Sequence, residues 1–199
     1  MSFVFNMIAT EKRQIEMTKK LAYKRGHLLY HSSHGPCRVK DIIKQTQSGK
    51  DQYYYSLESK EARFRGARFL IDTSQVETSG FHPAISPKEA NQILDYLKTS
   101  DPKDRQLGAK QPKVILSLIE ENAPWAFGRV VLIFSREKDG KGAKGKREML
   151  GRAAKGLLRE LSFALEIPEE EALLKMKKSL KHSAKVNPWV LDTISSILS

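Results

Sequence analysis

The sequence predicts an α+β protein, a small N-terminal β-barrel followed by an all-helical domain. Three observations predict it. Short apolar strands separated by glycine-bearing turns run from Tyr23 to about Ile71. At Ser86 the apolar spacing changes from alternate residues to a helical repeat of about 3.6. Helical spacing then persists to the C-terminus. The expected division is an N-terminal arm over residues 1–20, helical or disordered, a barrel over 21–86, and a helical domain over 87–199.

In the arm, Thr10–Leu21 has loose helical spacing. His27–His31 carries the apolar strand core Leu28-Leu29-Tyr30. Ser32–Pro36 is a turn, because Gly35 tolerates positive φ and Pro36 fixes its own. Cys37–Gln47 reads as a strand with Val39, Ile42 and Ile43 buried, and Ser48–Asp51 as a hairpin loop. Gln52–Leu57 is rich in tyrosine, which suits a pleated surface, and Ala67–Ile71 is a further apolar strand.

Ser86-Pro87-Lys88-Glu89 is a capping box with proline at the first helical position. Ala90, Ile93, Leu94 and Leu97 then share one helix face. Asp101–Lys113 is a polar connection, and Val114–Glu120 is helical. Asn122-Ala123-Pro124 ends that helix and restarts another through Phe127, Val130, Val131 and Phe134. Lys138–Gly145 is a basic, glycine-rich loop. Arg147–Glu166 has the strongest stripe, from Leu150 through Ala153, Ala154, Leu157, Leu161, Ala164 and Leu165. Three glutamates after Pro168 suit the positive end of the next helix, and Pro188–Leu198 is the last one.

The chain has 199 residues and a formal net charge of +12. The excess is spread as +2 over residues 1–20, +4 over 21–85 and +6 over 86–199, so no tail carries it. Such a balance favours a polyanionic partner. A single cysteine, Cys37, excludes an intrachain disulfide and fits a reducing cytoplasm. No apolar run approaches the roughly 20 residues of a membrane-spanning helix.

No catalytic constellation emerges, so an enzyme is not expected, and no cofactor site is expected either. The glycines at 140–145 lack the P-loop order, and Glu169-Glu170-Glu171 is a helix start. His27, His31, His34 and Cys37 invite a zinc reading, but alternate strand residues point oppositely, so surface histidines and a buried thiol are expected, with no metal. Alternation also puts Tyr54 on one face of its strand and Tyr53 and Tyr55 on the other, favouring a protein-binding surface over base stacking. Trp125 and Trp189 each follow a proline at a helix start and are expected to fill core, a wedge between base steps being the alternative.

Arg152, Lys155 and Arg159 lie about 140–200° from Leu150 around their helix, opposite the apolar stripe. Arg136, Lys138, Lys141, Lys144, Lys146 and Arg147 extend them into a cationic cluster suited to phosphate. A solvated helix face is the competing reading. Lys175, Lys177, Lys178, Lys181 and Lys185 form a second basic group, read as a solvated face.

Together these residues resemble the CarD-like (CdnL) family of bacterial transcription regulators. The resemblance rests on Tyr23-Lys24-Arg25-Gly26, His34-Gly35, Ile42, Gly49, Tyr54, Leu57 and Gly80 in the first part. It continues through the helix ending at Leu97 and through Met149-Leu150, Ala153, Leu157 and Glu160-Leu161. It implies a Tudor/SH3-like barrel that binds the RNA polymerase β subunit, with Gln45, Tyr54, Arg65 and Arg68 as the contact residues. It also implies a helical domain that contacts promoter DNA, largely through its backbone, and stabilises the open complex. Lys110, Arg136, Arg147, Arg152, Lys155 and Arg159 are the expected DNA-contacting residues. The family's DNA-wedging tryptophan aligns with Gly108. The protein expected from all this is cytoplasmic and nucleoid-associated through polymerase, with no small-molecule substrate. The alternatives are a polymerase adaptor without a DNA role and an RNA- or ribosome-binding barrel protein.

Overall fold

The computed structural model describes residues 21–47, 50–64, 66–76, 78–99, 112–137, 142–182 and 186–198. It is α+β, as the spacing predicts. The N-terminal part is a curled, five-stranded antiparallel half-barrel: β1 (Leu28–His31), β2 (Gly35–Gln47), β3 (Lys50–Ser59), β4 (Arg68–Asp72) and β5 (His82–Pro83). Their order across the sheet is β4-β3-β2-β1-β5, so β4 and the two-residue β5 are the edges. Nothing in the local sequence marks β5, because two residues are too few for a periodic signal. It exists because its backbone pairs with Leu29 and Tyr30.

Gly35 opens β2 at φ 66°, in the left-handed region glycine favours, and a Cβ there would collide with the Glu61 side chain. The β2–β3 register slips between Val39 and Asp41, a β-bulge that inserts Lys40. Val39 and Ile42 are three residues apart, yet both therefore face the core, opposite Leu57 and Tyr55. Ile43 pairs with Tyr54 instead and lies on the outer face, half-buried, so the expected burial of all three holds fully only for Val39. The barrel core is Leu29, Cys37, Val39, Tyr55, Leu57, Val76 and Phe81.

Six helices follow among the described residues: α1 (Pro87–Leu97), α2 (Pro112–Glu120), α3 (Pro124–Ser135), α4 (Lys144–Leu165), α5 (Glu169–Lys181) and α6 (Pro188–Ser195). The Ser86 capping box forms in full: Glu89 N–H donates to Ser86 Oγ, and the Ser86 amide donates back to the Glu89 carboxylate. Asn122, at φ 50°, makes the sharp reversal between α2 and α3. Helix α3 is apolar nearly all round and sits at the centre of the helical core, the placement such a helix requires. A Cβ on Gly156 of α4 would meet the Phe127 ring at 2.5 Å, so the glycine lets α4 lie directly on α3.

Helix α4 is buried on two sides. Leu150, Ala153, Ala154, Leu157, Leu161 and Ala164 face the helical core as their spacing predicts. Gly156 and Glu160 are buried as well, Gly156 against the Phe127 ring of α3 and Glu160 against His82 of the barrel. Tyr30 explains the contact. Strand alternation sends Leu29 into the barrel core and Tyr30 the other way, where its ring packs 5.8 Å from Phe163 of α4. The 1–20 arm and residues 101–111 of the polar connection, including Lys110 and Gly108, lie outside the described residues, as do Arg65, Lys138, Lys141 and Lys185, whereas Pro112 and Lys113, expected in that connection, begin α2.

Candidate functional site

The junction between half-barrel and helices holds a cleft of about 350 Å³. Ser32, Ser33 and Arg63 come from the barrel side, Ile119 and Asn122 from the α2–α3 corner, Phe127 from α3, and Arg152, Lys155, Gly156 and Arg159 from α4. Three of the predicted cations therefore meet here. Their spacing of three and four residues puts them on one face, and the barrel turns that face into the wall of a cavity. Arg63 completes the set. Its guanidinium donates to the Ser33 carbonyl at 2.9 Å, pairs through Nε with Glu61 and lies 4.7 Å over the Phe64 ring. Arg159 stands 3.8 Å from Glu169. Arg152 and Lys155 are exposed and make no ion pair among the described residues. No described carboxylate lines the cleft.

Asn122 fastens one end of the cleft. Its amide donates to the Gly80 carbonyl at 2.5 Å, and its carbonyl accepts from the Ser32 hydroxyl. Asn122 is legible in the sequence as a helix break; its second role, as a clasp to the barrel, is a tertiary fact. Arg63 belongs to a short 3₁₀ turn, Ala62–Phe64, and no sequence periodicity ties it to α4.

The other predicted cations go elsewhere. Arg136 is a correction: it is buried, and its guanidinium donates to the carbonyls of Leu97, Thr99 and Leu180 at 3.1–3.3 Å. It caps the C-terminal ends of α1 and α5, where a cation offsets the negative dipole end, and it is not on the cationic face. Arg147 is exposed but engaged, donating to the Gly142 carbonyl at 2.8 Å and lying 5.8 Å over Trp189. Lys146 pairs with Glu137. Trp189 fills core beside Phe134. Trp125 does not: it is 44% exposed and touches Tyr96 edge-on, because its turn of α3 lies at the surface.

On the sheet, Tyr55 is core and Tyr54 is half-buried on the outer face. The register places Gln45, Tyr54 and Arg68 on that same face: Gln45 lies two residues along β2 from Ile43, which pairs with Tyr54, and Tyr54 pairs with Asp72, on the Arg68 side of β4. Leu70 stands between Arg68 and Asp72 and is 55% exposed.

Beside the cleft, Glu160 is buried against His82, with Oε2 and Nε2 3.5 Å apart. Burial pushes the Glu160 carboxyl up to about 8, Glu89 adds to the shift, and the Ile85 amide opposes it. Burial lowers His82, whose Nδ1 lies 2.9 Å from the Pro83 carbonyl. At neutral pH both groups are therefore uncharged. His31 is lowered to about 4, chiefly by burial and then by His34 and His82. The His31 and His34 rings pack 4.5 Å apart and against Phe81, and among the described residues no group of three or more His, Cys, Asp or Glu side chains is placed to hold a metal. Among those residues no helix is long and apolar enough to cross a membrane.

No protein-family model matches the chain, and a search of curated proteins finds no match.

Proposed function

We propose that the chain is an RNA polymerase-binding transcription regulator of the CarD-like kind, with a Tudor-like half-barrel that docks on the β subunit and a helical part that meets promoter DNA through backbone phosphates. The observation that carries the first half is the outer sheet face. Gln45, Tyr54 and Arg68 share it with Leu70, an exposed leucine on an edge strand. An edge strand offers unpaired backbone groups and a leucine offers an apolar anchor, the two things a protein partner needs for strand addition. The test is retention of polymerase from lysate on the immobilised full chain. Leu70→Asp combined with Arg68→Glu should reduce retention at least tenfold. Capture of ribosomes in place of polymerase would refute the reading.

A second reading is favoured by the fate of the basic cluster. With Arg136 buried and Arg147 and Lys146 engaged within the fold, α4 presents three cations around the cleft. The chain would then be a polymerase adaptor whose cations serve something other than duplex DNA. Salt-dependent binding of duplex DNA separates the two.

A further inference from the structure

We propose that the cleft is a receptor for a small polyphosphate anion, held by cations from both halves of the molecule. The inference does not rest on the polymerase reading.

Four cations converge on one cavity: Arg63 from the barrel and Arg152, Lys155 and Arg159 from α4. Clustered like charges repel, and a fold commonly relieves this with interleaved carboxylates. Here the lining contains none, while Glu61 and Glu169 compensate only Arg63 and Arg159. Arg152 and Lys155 remain uncompensated among the described residues. A multivalent anion is the ligand that neutralises such a set.

The shape narrows the class. About 350 Å³ falls in the size range of small-molecule sites. Phe127 and Ile119, both almost fully buried, close the base of the cleft, and Ser33 adds a neutral polar residue to its lining. Arginine forks recognise phosphate oxygens in a bidentate manner. Duplex DNA presents phosphates on a convex ridge and has no need of a cation on the barrel rim. Arg63, held in place by the Ser33 carbonyl and the Phe64 ring, is the residue that separates the two sources of phosphate.

Because the anion bridges barrel and helices, its binding stabilises their docking, as any ligand selective for the folded state does. The experiment is calorimetric titration of the full chain with inorganic tripolyphosphate, and with sulfate at matched ionic strength, alongside a thermal melt. Saturable single-site binding and a raised melting temperature are expected with tripolyphosphate and not with sulfate. Lys155→Glu and Arg63→Gln should each weaken binding at least tenfold, whereas Lys175→Glu, on α5 and paired with Glu171, should leave it unchanged. Far-UV circular dichroism checks that each variant is folded. Absence of saturable binding, equal sensitivity to Lys175→Glu, or indifference to Arg63→Gln would overturn the proposal. Tighter binding of a duplex oligonucleotide through the same residues, Arg63 included, would assign the cleft to backbone phosphate and overturn the small-anion assignment.

Discussion

Replacing Glu160 by glutamine should remove most of the pH dependence of stability between pH 6.5 and 8. Glu160 is 1% exposed, and its carboxyl is raised from 4.5 to about 8 by burial. A group whose folded pKa is raised binds its proton more tightly folded than unfolded. Its stabilisation is complete below the ordinary carboxyl range and is lost as the pH rises through 8. His82 acts with the opposite sign. Its pKa is lowered by burial, so its contribution is present above 6.5 and is lost as the pH falls. Below 6.5 Glu160 opposes three lowered histidines, His82, His31 and His34; above it their opposition fades as the unfolded imidazoles lose their protons, and among the described residues Glu160 dominates. From 6.5 to 8 is about 1.5 units, and at 1.36 kcal/mol per unit the share of the stability that Glu160 holds falls by at most about 2 kcal/mol. For a chain of this size that is a melting temperature lower by roughly 4–8 °C. Glutamine keeps the shape and cannot ionise. In Glu160→Gln the melting temperature should fall less than half as far over the same interval, measured by calorimetry at fixed ionic strength. An unchanged slope in the variant would refute the reasoning, because the proton taken up would then belong to another group.

Other outcomes follow from particular contacts. Arg136→Met should destabilise the protein by about 3 kcal/mol, because three carbonyls at two helix ends lose a charged donor; a chemical melt measures it, and a loss below about 0.5 kcal/mol would place Arg136 outside the core network. Gly156→Ala should cost about 1–3 kcal/mol despite alanine's better helix propensity, since its Cβ meets the Phe127 ring at 2.5 Å; a neutral or stabilising result would show that α3 and α4 can separate freely. If Arg152, Lys155 and Arg159 all engage duplex phosphates, log affinity against log salt should have a slope of about −2.7. The triple change to glutamate should abolish that slope, and fluorescence anisotropy across a salt series checks both.

Much of the architecture is legible in the sequence because it depends on local spacing. The capping box at Ser86 needs only a serine, a proline and a glutamate in order, and it forms as read. The stripe of α4 from Leu150 to Ala164 and the reversal at Asn122-Ala123-Pro124 are equally local. The inward and outward tyrosines of β3 follow from a period of two.

What the sequence cannot specify is which surfaces meet. A helix face carrying Arg152, Lys155 and Arg159 has the same spacing whether it faces water, a phosphate backbone or a barrel. Only the packing of Tyr30 on Phe163 and the clasp of Asn122 turn it into one wall of a cleft with Arg63. Burial of Arg136 is likewise decided by the convergence of two helix ends distant in the chain, Leu97 and Leu180, whose free carbonyls require a donor. Glu160 takes its proton for the same reason, since the barrel covers a flank that the helical stripe leaves polar. Periodicity reports one buried face per element. A second one comes from a contact between residues far apart in the chain, and only the tertiary structure reveals it.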